Sequence, residues 1–309
     1  MEQLFSAAEV AVPILVSVLL GFIARKRSWM TPDEVRGLQQ FVMKIGLPCV
    51  IFQSCLTASL SAGSLGAMGL AVPCTIAGTF WSFLRGRKKY PYHNFPMLFC
   101  CQETGMLGIP LFIILFGAAN AYHMGILDLA QALTAYPVIA ILSSASGENP
   151  SIGSILKGIA KSPLLIMSSL GLFLNLSGIG SWMDSVGIGS ILKGSTSFLS
   201  QPVSAMMIFS VGYNFSLDAE SRGAVLRIAA LRIGFFGLFG LAVQGILSVI
   251  PGIDPMTRWS LLLFSLLPAS YLAPGLGRTQ KDLTMSSGVC SVTTLFTLLA
   301  FCAMAFFLA

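Results

Sequence analysis

An all-α polytopic membrane protein of about ten transmembrane helices is the fold class that the sequence predicts. Three observations predict it. The 309 residues are 55% hydrophobic and only 10% charged, against about 25% charged in a soluble domain, and mean hydropathy is +0.83. Apolar stretches of roughly 20 residues, the length that crosses a bilayer, recur along the whole chain. Lys and Arg fall almost entirely in every second connection, as in a chain that crosses a membrane repeatedly. An unusually apolar soluble enzyme would share the composition but not the pattern.

In order, the spans lie near residues 4–24, 36–57, 65–84, 94–116, 122–143, 152–174, 192–214, 225–249, 257–276 and 284–308. The first apolar run, near 10–24, follows Glu2 and Glu9 and precedes Arg25, Lys26 and Arg27. A secretory signal carries its positive charge ahead of the apolar run, so this is read as the first span and not as a leader. The connections are short and leave no room for a soluble domain. Odd-numbered connections carry Arg25, Lys26, Arg27 and Arg36, then Arg85, Arg87, Lys88 and Lys89, then Lys157 and Lys161, then Arg222 and Arg227, then Arg278 and Lys281. These are 14 of the 18 basic residues. Even-numbered connections carry only Lys193 and Arg258, while Lys44 and Arg232 fall within spans. The odd connections are therefore expected to face the cytoplasm, with both termini outside. The net charge of +6 is a signature of this topology and not of a nucleic-acid partner. All seven cysteines lie in apolar stretches without metal-ligand spacing, and the adjacent Cys100 and Cys101 would face two directions on a helix. They are expected to pack as small apolar groups.

Five spans per half imply that two repeated halves, 1–145 and 146–309, would be inverted in the membrane, a common design of secondary transporters. Spans at matching places in the two halves are interrupted. Span two holds Pro48 and span seven Pro202. Span four holds Gly105, Gly108 and Pro110, and span nine holds Pro268 and Pro274. Proline removes an N–H and clashes with the preceding turn. Freed backbone groups cannot find water in lipid, so such breaks belong where they line protein or a wet cavity. Half-helix N-termini there favour anions and C-termini favour cations. Isolated, each proline reads more readily as a kink or packing point; the repeated arrangement favours a binding site.

The segments "LLGFIARKRSWMTPDEVRGLQQFVMKIGLPCVIFQS", "ETGMLGIPLFIILFG", "SQPVSAMMIFSVGYNFSL" and "LLPASYLAPGLGRTQ" resemble the opening, fourth, seventh and ninth spans of the auxin efflux carrier family, which includes plant PIN exporters and bacterial malate or malonate permeases. The resemblance covers nearly all of the chain, and its fourth-span motif is the most specific. It implies two inverted five-helix repeats whose helices four and nine break and cross. It also implies a scaffold domain and a crossover domain that move against each other, by elevator or rocking motion, with substrate bound between them. On this basis Pro48, Gly105, Gly108, Pro110, Ser270, Tyr271 and Pro274 are the expected substrate-binding positions.

Two positions depart from the resemblance. Glu103 and Lys44 stand where the family usually has Asn. Charges in a membrane interior are costly and face a cavity or a partner. Lys44 either pairs with Glu103 or lifts its amine to the interface. Arg232, about two turns into span eight, is expected to do the latter. Glu103 either carries a proton, helps Gln102, Thr104 and nearby carbonyls hold Na⁺, or is a structural acid paired with Lys44. Gln53, Ser54, Gln201, Ser204, Tyr213 and Asn214 are further polar residues inside spans, each more readily an inter-helix hydrogen-bonding group than a ligand.

The sequence lacks HExxH, GxSxG and P-loop motifs, so no enzyme or primary pump is expected. His93 and His123 both lie near span ends. The expected function is secondary transport of a small organic anion such as a carboxylate, without a cofactor, coupled to H⁺ or Na⁺ or running down its own gradient. A homodimer through the scaffold domain and a bacterial inner membrane are the expected setting. The rivals are a bile-acid-type Na⁺ symporter, against which the Gly-Ile-Pro segment speaks, and a membrane ligand sensor, whose mark would be an added signalling domain.

Overall fold

The computed structural model describes residues 2–58, 61–143, 153, 161–216 and 221–308. Lys157, the start of span six and the expected boundary between halves at 145/146 lie outside the described residues. Among those residues the chain is helical throughout and has no strand, apart from one isolated antiparallel bridge between Gln102 and Ala269.

Helix α1 (Glu2–Lys26) ends on its basic residues, and a Thr31–Glu34 capping box starts α2 (Pro32–Phe41). A π-helical turn at Val42–Gly46 joins α2 to α3 (Leu47–Leu56). Its cause is local. Pro48 has no N–H and would clash with a carbonyl one turn back, so the chain widens ahead of it and the Leu47 N–H bonds to Val42. After α4 (Ala62–Gly69) and α5 (Ala71–Trp81), a second π turn at Ser82–Gly86 leads into the short basic α6 (Arg87–Lys89). Span four is in pieces. Helix α7 (Phe95–Cys100) stops, residues 101–103 are not helical, and a third π turn, Thr104–Gly108, precedes Pro110 in α8 (Ile109–Phe116). Here too the Ile109 N–H bonds five residues back, to Thr104.

Then come α9 (Tyr122–Ser143), α10 (Pro163–Leu176), α11 (Ile179–Ser185), α12 (Ile188–Ser200), α13 (Val203–Tyr213) and α14 (Arg222–Val249). Span nine is α15 (Pro255–Leu266), an irregular stretch, and a short 3₁₀ turn at Pro274–Leu276. Helix α16 (Gln280–Leu308) follows.

Helices α14 and α16 are each long and apolar enough to cross a membrane, and α10 with α11, bent by 76°, would make a third crossing. The breaks explain why expected spans two, four and nine are not single uniform helices: span two widens ahead of Pro48, span four opens at residues 101–103 ahead of Pro110, and span nine stops before Pro268.

Two helix pairs meet most closely. Helix α1 packs on α13, where a side chain at Gly21 would strike the backbone of Phe209 and Tyr213, and one at Gly212 the backbone of Val18. Helix α10 packs on α3, where a side chain at Gly171 would strike the Phe52 carbonyl. Small residues allow this backbone approach between membrane helices. Apolar cores lie on either side of the break in span four. One holds Leu107, Ile109, Leu111 and Phe112, and the other Phe95, Met97, Leu98 and Phe99.

Candidate functional site

The breaks in spans four and nine cross. The Glu103 N–H donates to the Pro268 carbonyl (3.0 Å) and the Ser270 N–H to the Cys101 carbonyl (3.1 Å). Flanking helices hold each strand of the crossing. The Gln131 side chain, on α9, accepts from the Gln102 N–H (2.7 Å) and donates to the Gln102 carbonyl (2.8 Å). The Thr293 hydroxyl, on α16, accepts from the Ala269 N–H (3.2 Å). Asn94 donates to the Ala273 carbonyl (2.8 Å), and Asp282 accepts from the N–H groups of His93, Arg278 and Thr279.

Glu103 is buried at the start of the second half of span four. One carboxylate oxygen accepts from the Met106 N–H (3.3 Å) and the other from the Tyr271 N–H (2.5 Å). It thus caps the new helix start, which leaves N–H groups unpaired and favours negative charge, and also fastens the span-nine strand. Lys44 forms no ion pair among the described residues and is exposed on its π turn. Of the alternatives, the Lys44–Glu103 pair is not the one formed: the acid accepts backbone N–H groups instead.

Arg232 is the larger correction. It does not lift to the interface; it is 1% exposed and reaches into the crossing. It donates to the carbonyls of Leu98, Phe99, Cys101 and Pro268 and to the Gln102 side-chain oxygen, and its guanidinium lies over the Phe236 ring. The last carbonyls of a helix lack intrahelical partners, and the end of α7 supplies them here. Cys100 and Cys101 also differ from expectation. The helix ends between them, so their sulfurs lie 3.6 Å apart.

A cavity of about 570 Å³ reaches this crossing. Met106, Tyr271, Leu272 and Pro274 line it from the two broken segments, and α16 contributes Ser287, Cys290, Ser291 and Thr294. Arg25, Arg36, Gln39, Asn214 and Ser216 line the rest, on the face where odd connections gather. Tyr271 joins crossing and cavity; its hydroxyl is 2.8 Å from that of Thr294.

Of the expected residues, Gln102, Glu103, Ser270 and Tyr271 meet at the crossing, with Thr104 and Gly105 beside it. Gly105 faces Met43, and Gly108 is pressed against Leu267 and Met124. Pro110 is buried and Pro274 lines the cavity. Pro48 is buried in α3 and is not among the cavity's lining residues. The side-chain nitrogen of Gln102 and the hydroxyl of Thr104 are buried without a partner. Among the further polar residues, Tyr213 and Asn214 line the cavity. Gln53 accepts from Thr196, Ser54 bonds Ala119 and Tyr122, and Ser204 reaches Pro110. Gln131, Thr293 and Asp128 were not singled out by sequence. Gln131 and Asp128 had a signal, since two polar residues three apart share one face of an otherwise apolar span. Asp128 lines a small cavity with Ser162 and Ser168.

The chain is thus helical, with two broken segments crossing beside a cavity. Residues 6–152 match the model of the membrane transport protein family, the one that includes the auxin efflux carriers. No curated protein matches the chain.

Proposed function

We propose that this protein is a secondary transporter that moves a small organic anion such as a carboxylate through the cavity beside the crossing. The observation that carries this reading is the cavity's two ends. One end reaches the crossing of the two broken helices through Met106, Tyr271 and Pro274, and the other carries Arg25 and Arg36. A volume of about 570 Å³ falls within the usual range of small-molecule sites. Arg25 and Arg36 would draw an anion toward the mouth.

The finer architecture in this reading is about ten spans in two inverted halves, 1–145 and 146–309. The packing supports it. Exchanging the halves turns the close pair of spans one and seven (α1 and α13) into spans six and two (α10 and α3), which also pack closely. The same exchange turns span five holding break four through Gln131 into span ten holding break nine through Thr293. Away from the cavity, His123 meets Asp254 at 2.7 Å and the Phe116 ring lies tilted beside Trp259, contacts that would close that side in the present state. Alternating access then means opening these and closing the basic mouth. The basic connections are cytoplasmic in this reading, and H⁺ or Na⁺ is the candidate coupling ion.

The test is uptake and efflux in proteoliposomes, with a panel of mono- and dicarboxylates under imposed pH or Na⁺ gradients. Wild type and Glu103→Gln would be compared. Saturable flux of at least one anion is expected. Binding without flux in either direction would favour the sensor reading instead.

A further inference from the structure

Transport as proposed gives Arg232 no role, yet its guanidinium is the most heavily bonded group at the crossing. Five oxygens converge on it: four backbone carbonyls and the Gln102 amide oxygen. They come from both broken segments, three of the carbonyls from the end of α7 and its following residue and one from Pro268. No carboxylate pairs with it among the described residues. Neutral oxygens gathered from two chain breaks around one positive charge are the donor set that a hard metal cation selects. Here the charge is covalently attached and permanent, since guanidinium does not deprotonate in proteins. Apart from the Thr104 hydroxyl, which is buried without a partner, the other side-chain oxygens at the crossing are also committed. Both carboxylate oxygens of Glu103 accept N–H groups, and the Ser270 hydroxyl oxygen accepts from Leu272. The matching span of the first half, 65–84, carries no charged residue, so this cation is particular to one half.

We propose that the Arg232 guanidinium is a built-in cation that fills the oxygen cage of the crossing and holds the two broken segments together, so that free Na⁺ does not bind there. The consequence for coupling, that flux does not depend on Na⁺ through this site, rests on the transport reading. The occupancy of the cage does not.

The decisive measurements therefore use the melting temperature of the purified full chain in detergent, which needs no transport. For wild type, replacing choline chloride by NaCl at equal ionic strength is expected to leave the melting temperature unchanged. A Na⁺-specific rise would overturn the proposal. For Arg232→Ala the melting temperature is expected to fall by several degrees. Low-millimolar methylguanidinium should recover part of that loss in the variant and none in wild type. An unchanged melting temperature in Arg232→Ala, or a loss that methylguanidinium does not reverse, would equally overturn it. If Arg232→Ala does not fold, Arg232→Lys replaces it, expected to fold with a lower melting temperature than wild type and no Na⁺-specific rise. An Arg232→Lys as stable as wild type would mean that the multiple donors of the guanidinium are not what holds the cage. Failure to observe any flux in liposomes would leave these readouts intact, so the two readings fail separately.

Discussion

Glu103 and Arg232 sit at opposite kinds of helix end. The acid accepts the N–H groups that the second half of span four exposes, and the base donates to the carbonyls that the first half exposes. Each charge thus meets the end of the backbone dipole that favours it. Glu103→Gln retains an acceptor oxygen and is expected to cost less than about 1.5 kcal/mol, whereas Glu103→Leu orphans two buried N–H groups and should cost about 2–5 kcal/mol. Unfolding in detergent compares them directly; equal stability of the two variants would refute the capping role. Gln131 is the second residue to test. Gln131→Leu leaves a buried N–H and C=O of Gln102 unpaired, expected to cost about 2–5 kcal/mol. Gln131→Glu, when ionised, keeps the acceptor but sets an oxygen against the Gln102 carbonyl, and should also be less stable than wild type. An unaffected Gln131→Leu protein would show that the bonds to Gln102 do not hold the break. Glu103 was legible in the sequence because an acid among glycines and a proline in an apolar span has few alternatives. Arg232 was misread because its distance from the span start allows a long side chain to reach the interface. Only the arrival of α7's carbonyls from far along the chain decides otherwise, and no local pattern encodes that.

At the scale of elements, prolines and glycines divide the work. Pro48 and Pro110 each force the preceding turn to widen, while Gly21, Gly212 and Gly171 let helices touch backbone to backbone. Gly212→Leu and Gly171→Leu would drive side chains into the backbone of the facing helix. Each is expected to cost about 1–3 kcal/mol or more, as overpacking does. Gly237, in α14, has open space where its side chain would be. Gly237→Ala should be neutral or stabilising by up to about 1 kcal/mol. The three variants measured side by side separate packing from helix propensity; a loss at Gly237 equal to that at Gly212 would refute the close-contact account. The sequence disclosed which spans are interrupted, since prolines within apolar runs are visible without a structure. It did not disclose which spans pair. The glycines of α1 and α13 lie about 190 residues apart in the chain, and nothing in either segment names its partner. Nor did it show that Cys101 to Glu103 leave the helix, because the apolar run continues across the break and hydropathy does not register backbone direction.

For the molecule as a whole, the charge pattern and the cavity were obtained independently, yet they select the same face. Arg25 and Arg36 belong to the first odd connection, Asn214 to Ser216 adjoin the seventh, and Leu283 adjoins the ninth, and all line the cavity that ends at Tyr271. If odd connections are cytoplasmic, the cavity is filled from the cytoplasm. A single cysteine reports this. In a background with Cys49, Cys55, Cys74, Cys100, Cys101, Cys290 and Cys302 replaced, Ser287→Cys places a thiol on the cavity wall, and Ser190→Cys, in the exposed start of α12, places one near an even connection. A membrane-impermeant maleimide added to inside-out vesicles is expected to modify Ser287→Cys and not Ser190→Cys. Added to intact cells or right-side-out vesicles, it should modify Ser190→Cys and spare Ser287→Cys. A transported anion should slow labelling of Ser287→Cys, because substrate and reagent would share the cavity, and leave Ser190→Cys unaffected. Labelling of both positions from one and the same side, and of neither from the other, would contradict the alternation of spans on which the orientation rests. Labelling of Ser287→Cys from both sides, with Ser190→Cys restricted to one, would keep the alternation and mean that the chain samples its other opening. The two parts of the whole-molecule argument, topology and access, are thereby read from one pair of thiols.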